Sequence, residues 1–509
     1  MNLANWLHHT GLVRPDAPAL RRGEVLHATY STFAQRSCAV GDCHRSRFGI
    51  RRGDRVALFA KNSAEYLEVL YGALWIGAII VPINHKLHPR EAAWIIGNAE
   101  ARLVFTDDGR IFTSLSDVVA DCREIGLFTE ELVGGLGASS RTTYSAPVAV
   151  EDDEVAWLFY TSGTTGRPKG VMTTHKNLRM MATSYALDVD TVSCRDHVLY
   201  AAPMSHGAGL YNFQFVRAGA CHVIPDSQGF DAAEIEKLAR ALGSLVFFAA
   251  PTMIMRLLKH AQSSGYRGEG IRTIVYGGGP MYLADINNAL DLFGPRFAQI
   301  YGQGESPMTI TAMPRDIVAD AEHPRAEQRR ASVGTAQSCV EVRVVDQAMN
   351  ERPVGEVGEV VVRGDTVMKG YWQNEAATAE TLVEGWLKTG DLGSMDEDGF
   401  LTLTDRSKDV IISGGTNIYP REVEEALLTN EKVFEVSVVG SPHPEWGEEV
   451  VAFVVLNEGT ACSTEELDAW CKTQIASFKK PKRYIFVPEL PKNSYGKVLK
   501  TSLREQARA

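Results

Sequence analysis

The chain has 509 residues, 45% of them hydrophobic and 23% charged, and a formal net charge of −11 at pH 7. That length and composition suit a globular protein of more than one domain with a large buried core. The acidic balance argues against sequence-independent nucleic-acid binding, which needs clustered Lys and Arg, but it leaves room for an anionic substrate in a locally positive site.

The N-terminal stretch MNLANWLHHTGLVRPDAPAL has neither the basic start nor the unbroken apolar run of a secretory signal. The first half then alternates strand and helix: DRVALFA (54–60) is a strand, KNSAEYLEVLYGALWIG (61–77) a helix, AIIVPIN (78–84) a strand, HPREAAWIIGNAE (88–100) a helix and ARLVFTD (101–107) a strand. Such alternation predicts βαβ units and parallel sheet. The most apolar run, VLYGALWIGAIIVPI (69–83), is short for a membrane span and divides into a helix end, a Gly turn and a strand. No transmembrane segment is expected. A cytoplasmic protein is the expectation, with peripheral membrane contact still compatible. The alternation returns over 230–261 and at IRTIVYGGGP (271–280). From about Ala331 the texture becomes β-rich with Gly turns, as in CVEVRVVDQ, GEVGEVVVRG and GFLTLTDR, which suggests a small barrel or an antiparallel sheet. Beyond Arg406, EVSVVGSP, EEVVAFVVLNEG, the helix STEELDAWCKTQIAS and RYIFVPELP suggest a compact α+β unit. The expected division is an α/β domain over 1–404, with parallel-rich sheets and a small β-barrel-like part, followed by a small α+β domain over 405–509.

Eight scattered Cys form no Cys-x-x-Cys pair, so free thiols are expected rather than a zinc site. His-Glu-x-x-His and Gly-x-Ser-x-Gly are absent, and GGGPMY and GQGESP each break Gly-x-Gly-x-x-Gly at its last position.

The stretch YTSGTTGRPKG (160–170) lies between the apolar VAWLFY and a second short strand in GVMTTH. Gly lets backbone amides approach an anion, hydroxyls donate to it and Lys adds charge, so a phosphate cradle competes with an ordinary surface loop. It is not a Walker A loop, because Pro168 stands where the second Gly belongs and Gly170 follows Lys169. Four further segments concentrate polar groups. YGQGE (301–305) follows the strand-like FAQI, and at the carboxyl end of a parallel strand Tyr301 can stack on a base and Glu305 can hold Mg²⁺; a turn with a solvated Glu is the alternative. In GWLKTGD, Asp391 either accepts ribose hydroxyls or caps the turn. DRSKD (405–409) offers Arg406 to the same ribose or a phosphate. PKNSYGKVLK places Lys497 on a Gly turn, where a solvated basic tail is the other reading.

Taken in order, YTSGTTGRPKGV, YGQGE, GWLKTGD, DRSKDVIISGGTNIYP and PKNSYGK resemble the motif series of the adenylate-forming superfamily over nearly the whole chain, and ISGGTNIYP with PHPEWGEE look most like its acyl- and aryl-CoA ligases. The resemblance implies ATP, Mg²⁺ and CoA, and a two-step reaction in which a carboxylate attacks the α-phosphate of ATP and CoA then takes the acyl group from the adenylate. It implies a β,γ-phosphate cradle of Thr161, Ser162, Gly163, Thr164, Thr165, Gly166 and Lys169, with Thr161 and Glu305 at the metal. Gly277, Gly278, Gly279 and Pro280 would face the adenine opposite Tyr301, with Gly302, Gln303 and Gly304 completing that wall. Asp391 and Arg406 would take the ribose, and Lys497 would be the catalytic lysine. Lys408 would be the hinge of a mobile C-terminal domain whose rotation exchanges Lys497 for Gly414, Gly415 and their neighbours at a pantetheine tunnel. One departure stands out: many relatives carry Thr before the Glu of YGQGE, and this chain carries Gly304.

By the same resemblance the acyl pocket involves MSHGAGLYN, AAPTMIM and SPMTI, including His206, Tyr211, Met253 and Met308. It contains no Asp to receive an amino group and no Arg or Lys to receive a second carboxylate. The expected activity is an acyl-CoA synthetase for an apolar monocarboxylic acid, a fatty acid in the first place. The alternatives are an aryl- or arylalkanoyl-CoA ligase and, third, an adenylation enzyme loading a carrier protein. A homodimer or a monomer is expected.

Overall fold

The computed structural model describes residues 1–107, 144–161, 167–406, 409–414, 416–492 and 498–508, and the backbone of a strand over 124–127. Its centre is set by one helix. Ala64–Trp75 (AEYLEVLYGALW) is buried at every position, and Ser63 starts it by accepting the Tyr66 N–H. A helix buried all round needs cover on all sides, and the helices Ala4–Val13 and Tyr30–Ser46 supply it together with strands of two sheets.

The first sheet has seven strands in the order Gly370–Tyr371, Lys169–Thr174, Val155–Thr161, Ile79–Asn84, Arg55–Ala60, Ala101–Thr106 and Glu124–Leu127. The run from Val155–Thr161 to Glu124–Leu127 is parallel. The strands IIVPIN and RVALFA are almost wholly buried, as the unbroken apolar runs of parallel strands require. The second sheet has nine strands, with a parallel centre formed by Pro18–Arg22, Cys221–Ile224, His197–Leu199, Leu245–Ala249, Ile271–Tyr276 and Phe297–Gln303 and antiparallel strands at both edges. The main core fills the space between the two sheets, joining Leu58, Ile80 and Trp157 to Val246, Val275 and Ala298. Within it the helix Tyr30–Ser46 crosses Ala64–Trp75 at Gly41 and Gly72; a Cβ on Gly41 would lie 2.7 Å from the Gly72 carbonyl. That close approach explains glycine inside two helices, where it otherwise costs stability.

The β-rich segment after Ala331 is a five-stranded antiparallel sheet with core order Val340–Val345, Gly358–Gly364, Trp386–Met395, Leu382–Val383, and Leu401–Arg406 paired to Trp386–Met395. A fourth sheet contains Ile411–Ser413, Thr416–Ile418, Val433–His443, Gly447–Leu456 and Arg483–Phe486, packed with the helices Pro420–Leu428, Thr464–Gln474 and Lys500–Arg508. The change of sheet falls between Arg406 and Ile411. The mixed α/β architecture is thus the one expected, with parallel-rich sheets in the larger part and a small α+β part behind it. No described helix is long and apolar enough to cross a membrane.

The core also holds histidines that must stay neutral. His44 is fully buried, neither ring nitrogen has a partner among the described residues, and burial pushes its pKa down to about 3; burial lowers His222 to about 3 as well. The unfolded chain protonates these rings below the ordinary value of 6.5, so their stability contribution is complete above that pH and is lost as the pH falls towards 3. Replacing His44 by Leu removes one such proton. In urea denaturation the His44→Leu protein should gain about 2 kcal/mol more over wild type at pH 5 than at pH 7; a pH-independent difference would contradict this account.

Candidate active site

The candidate groups converge where the first, second and third sheets meet. Strand Phe297–Gln303 runs parallel to Ile271–Tyr276, then turns at Gly304–Glu305 into the antiparallel strand Ser306–Met313. Its carboxyl end therefore carries Tyr301, Gln303 and Glu305. Gly277–Pro280 leave the neighbouring strand alongside it; Gly277 packs so close that a Cβ would lie 2.5 Å from the Ile300 carbonyl, and Gly278 to Pro280 are exposed.

A buried carboxylate ties this strand end to the third sheet. Asp391 receives the Tyr301 hydroxyl at 2.6 Å and the Gln303 amide at 2.5 Å on Oδ2, and Arg406 Nε lies 2.7 Å from Oδ1. Asp391 and Arg406 are direct cross-strand partners. The Asp391 N–H is held by Thr389 Oγ1 at 3.1 Å, and Gln303 also donates to the Thr389 carbonyl at 2.9 Å. A buried charge needs such pairing. Burial, followed by the Asp391 carboxylate, raises the Tyr301 pKa well above the phenol range, which keeps its hydroxyl a donor.

Four residues along the chain, Glu305 belongs to a second cluster. Its Oε1 accepts the Tyr371 hydroxyl at 2.7 Å, and the Lys169 ammonium sits 4.8 Å from the centre of the Tyr371 ring. Thr161 and Lys169 are register partners at the end of the first-sheet hairpin. Among the described residues no group of three or more His, Cys, Asp or Glu is placed to hold a metal. A lone carboxylate beside a hydroxyl and a cationic loop fits Mg²⁺, which commonly takes one or two protein ligands and completes its shell with phosphate and water.

The departure at position 304 has a steric cause. A Cβ on Gly304 would lie 2.6 Å from Thr161 Cγ2 and 2.9 Å from the Phe159 ring. The first sheet presses against the turn, and Phe159 with Thr161 fill the space a threonine would use. Phe159 in turn meets the His206 ring edge-on, with centroids 5.2 Å apart.

His206 is the first of the residues expected on the acyl side. Its Nδ1 is 3.0 Å from Ser205 Oγ, and burial pushes its pKa to about 3, so the ring is neutral near pH 7. Met308 has φ +64°, a conformation uncommon for a side chain of its size, and its Sδ would lie 2.7 Å from a Cβ on Gly207. Gly302 packs on the Met308 backbone, where a Cβ would be 2.6 Å from N. Tyr211 is buried edge-on to Phe248 at 6.3 Å, and the Phe248 ring tip lies 3.8 Å from a Cβ on Gly278. Met253 stands apart, packed against the core on the other side of the second sheet.

Of the expected site residues, the structure thus joins Tyr301, Gln303, Asp391 and Arg406 in one cluster and Lys169 and Glu305 in a second. It sets Thr161 against Gly304 and His206 near Met308. Gly414, at φ +57°, lies in the hairpin of the fourth sheet, its N–H donating to the Trp446 carbonyl at 2.9 Å. Ser162 to Gly166, Lys408, Gly415 and Lys497 lie outside the described residues. The sequence reading missed Tyr371, Phe159 and Phe248; nothing in KGYWQN marks its Tyr for a partner 66 residues earlier.

The packing at Gly304 is testable. Gly304→Thr should cost about 1–3 kcal/mol by overpacking and lower the Tm. Adding Phe159→Leu should recover part of that loss, whereas additive effects of the two substitutions would contradict the contact.

Known proteins share this chain's sequence pattern and fold. A family model for the AMP-binding enzymes matches residues 7–372, and one for the AMP-binding enzyme C-terminal domain matches residues 422–497. The chain is 33% identical over 506 residues to a feruloyl-CoA synthase of Amycolatopsis sp, covering 99% of each chain. It is 34% identical over 483 residues to a long-chain-fatty-acid–CoA ligase of Mycobacterium tuberculosis, covering 93% of each. The crystal structure of ATP-bound MatB from Rhodopseudomonas palustris superposes with a TM-score of 0.88 at 28% identity, covering 100% of this chain and 99% of that one. The chain belongs to the AMP-binding enzyme family, the adenylate-forming superfamily that its motifs resemble.

Proposed function

We propose that this chain is an AMP-forming acid–thiol ligase that converts an apolar monocarboxylic acid into its CoA thioester at the expense of ATP. The observation that carries the reading is the turn 301–305, whose two ends serve different chemistry. Tyr301 and Gln303 lie on the buried Asp391, and Glu305 faces the loop cation through Tyr371. A nucleoside bound at the first cluster has its phosphates directed at the second, and His206 and Met308 place an acyl group on the remaining side.

In the first half-reaction a carboxylate oxygen of the acid bonds to the α-phosphorus of ATP, and the bond to pyrophosphate breaks. The CoA thiol, losing its proton to solvent, then bonds to the acyl carbon, and AMP leaves with the carboxylate oxygen. Bringing an anion to a polyanion makes charge stabilisation the main task. Glu305, with Thr161 beside it, would hold Mg²⁺, which would supply part of that charge. Lys169 and the residues Thr161 to Gly166 hold the terminal phosphates, Arg406 supports Asp391 at the ribose, and Lys497 contacts the reacting carboxylate. Lys408, Gly414 and Gly415 serve the exchange of half-reactions on a C-terminal domain beginning near Asp405.

A fatty acid is one substrate class that suits the Met308 side of the pocket. A specific observation favours the other, an aryl or arylalkanoic acid: Phe159 meets His206 edge-on, Tyr211 meets Phe248 edge-on, and edge-on rings accept a further flat ring well. The feruloyl-CoA synthase relative lends the same reading support.

A pyrophosphate-release assay over a panel of acids, run with CoA and with a carrier protein as acceptor, tests the proposal. Arylalkanoic and medium or long monocarboxylic acids should turn over with CoA, and along an aliphatic series kcat/KM should rise about three- to fourfold per CH₂ until the pocket is full. Acetate should be poor and dicarboxylic acids worse, because a second buried carboxylate finds no partner. A maximum at acetate, a preference for a dicarboxylate or turnover with the carrier protein alone would contradict the proposal.

A further inference from the structure

We propose that Tyr371 is a positioning residue that holds Glu305 and Lys169 as separate, correctly aimed charges, Glu305 for a divalent cation and Lys169 for nucleotide phosphate. The inference rests on the ATP-dependent reading above. Tyr371 belongs to a two-residue edge strand added to the exit strand of the phosphate loop, with Tyr371 opposite Val171. The segment around it is tied on both sides. The Met368 N–H donates to the Glu305 carbonyl at 2.8 Å, and the Trp372 N–H donates to the Gly170 carbonyl at 2.7 Å. The Tyr371 N–H is itself anchored on Thr378 Oγ1 at 2.9 Å. From this brace the hydroxyl reaches Glu305 at 2.7 Å while the ring face carries the Lys169 ammonium at 4.8 Å.

The chemistry explains why one side chain touches both. A carboxylate and an ammonium left to each other in a half-buried site attract strongly. Such a pair has to open before metal and phosphate enter. A neutral phenol gives the carboxylate a donor without cancelling its charge, and the π-face gives the ammonium a seat without neutralising it. Partners of this kind, one step removed from a metal, set how well the ligand is aimed.

Two variants separate the functions. Tyr371→Phe keeps the ring under Lys169 and removes the bond to Glu305; Tyr371→Leu removes both. Mn²⁺ binding in the presence of ATP, followed by electron paramagnetic resonance, reads the metal without turnover, and a Mg²⁺ titration of pyrophosphate release reads it with turnover. Tyr371→Phe should unfold at the wild-type temperature, bind Mn²⁺ about 10–100-fold more weakly and recover most of kcat at saturating Mg²⁺ with little change in KM for ATP. Tyr371→Leu should also raise KM for ATP. Unchanged Mn²⁺ affinity in Tyr371→Phe, a kcat loss that excess Mg²⁺ does not restore, or identical behaviour of the two variants would overturn the proposal. If wild type releases no pyrophosphate with any acid, the Mn²⁺ measurement still decides: weaker binding in Tyr371→Phe supports the positioning role while the ligase reading falls, and unchanged binding overturns it.

Discussion

The buried carboxylate of Asp391 is the contact on which the rest of the site depends. It sits on the third sheet, yet two of its three side-chain partners, Tyr301 and Gln303, come from the end of a strand in the second. Removing one partner of a buried charge costs far more than the pair gains over an apolar replacement. The arrangement therefore fixes one geometry more than it adds stability. With Tyr301 and Gln303 held, the turn that follows has little freedom, and Glu305 is delivered to the first sheet. A single strand end thus carries Tyr301, Gln303 and Glu305 in a fixed relation, which on the proposed reading is what in-line attack on the α-phosphorus requires.

Close packing enforces the same relation from the other side. Gly302 lies against the Met308 backbone and Gly304 against Thr161 and Phe159, so the turn is held between the acyl wall and the phosphate hairpin. The glycine at 304 leaves no side chain at this point of the turn. In exchange, Phe159 reaches the turn and connects it to His206. Gly304, Thr161, Phe159 and His206 are therefore packed in one continuous row in this chain.

Much of this was legible in the sequence where local pattern decides the outcome. AIIVPIN and DRVALFA read as strands because buried parallel strands are apolar on both faces, and the apolar run 69–83 breaks into helix and strand at Gly77, which has φ +74°. Tyr301, Asp391 and Arg406 stood out because polar groups beside tight turns need a reason. Partners distant in sequence did not stand out. Tyr371 is 66 residues from Glu305 and about two hundred from Lys169, and only the pairing of its edge strand with Lys169–Thr174 brings them together. The steric reason for Gly304 needs the first and second sheets in contact, which no local pattern reveals. The helix Pro420–Leu428 was readable and missed: Pro420 at its first turn and Val423 with Leu427 on one face are ordinary helix signals.

The central claim is that the acid is activated at the α-phosphorus of ATP before CoA takes the acyl group. Carboxylate labelled with ¹⁸O in both oxygens, turned over with ATP and CoA, tests it most directly by mass spectrometry of the products. The account predicts one ¹⁸O atom in AMP and none in pyrophosphate, because the oxygen that attacks phosphorus stays there when the thiol displaces AMP. Label appearing in orthophosphate alongside ADP, or AMP free of label, would contradict it.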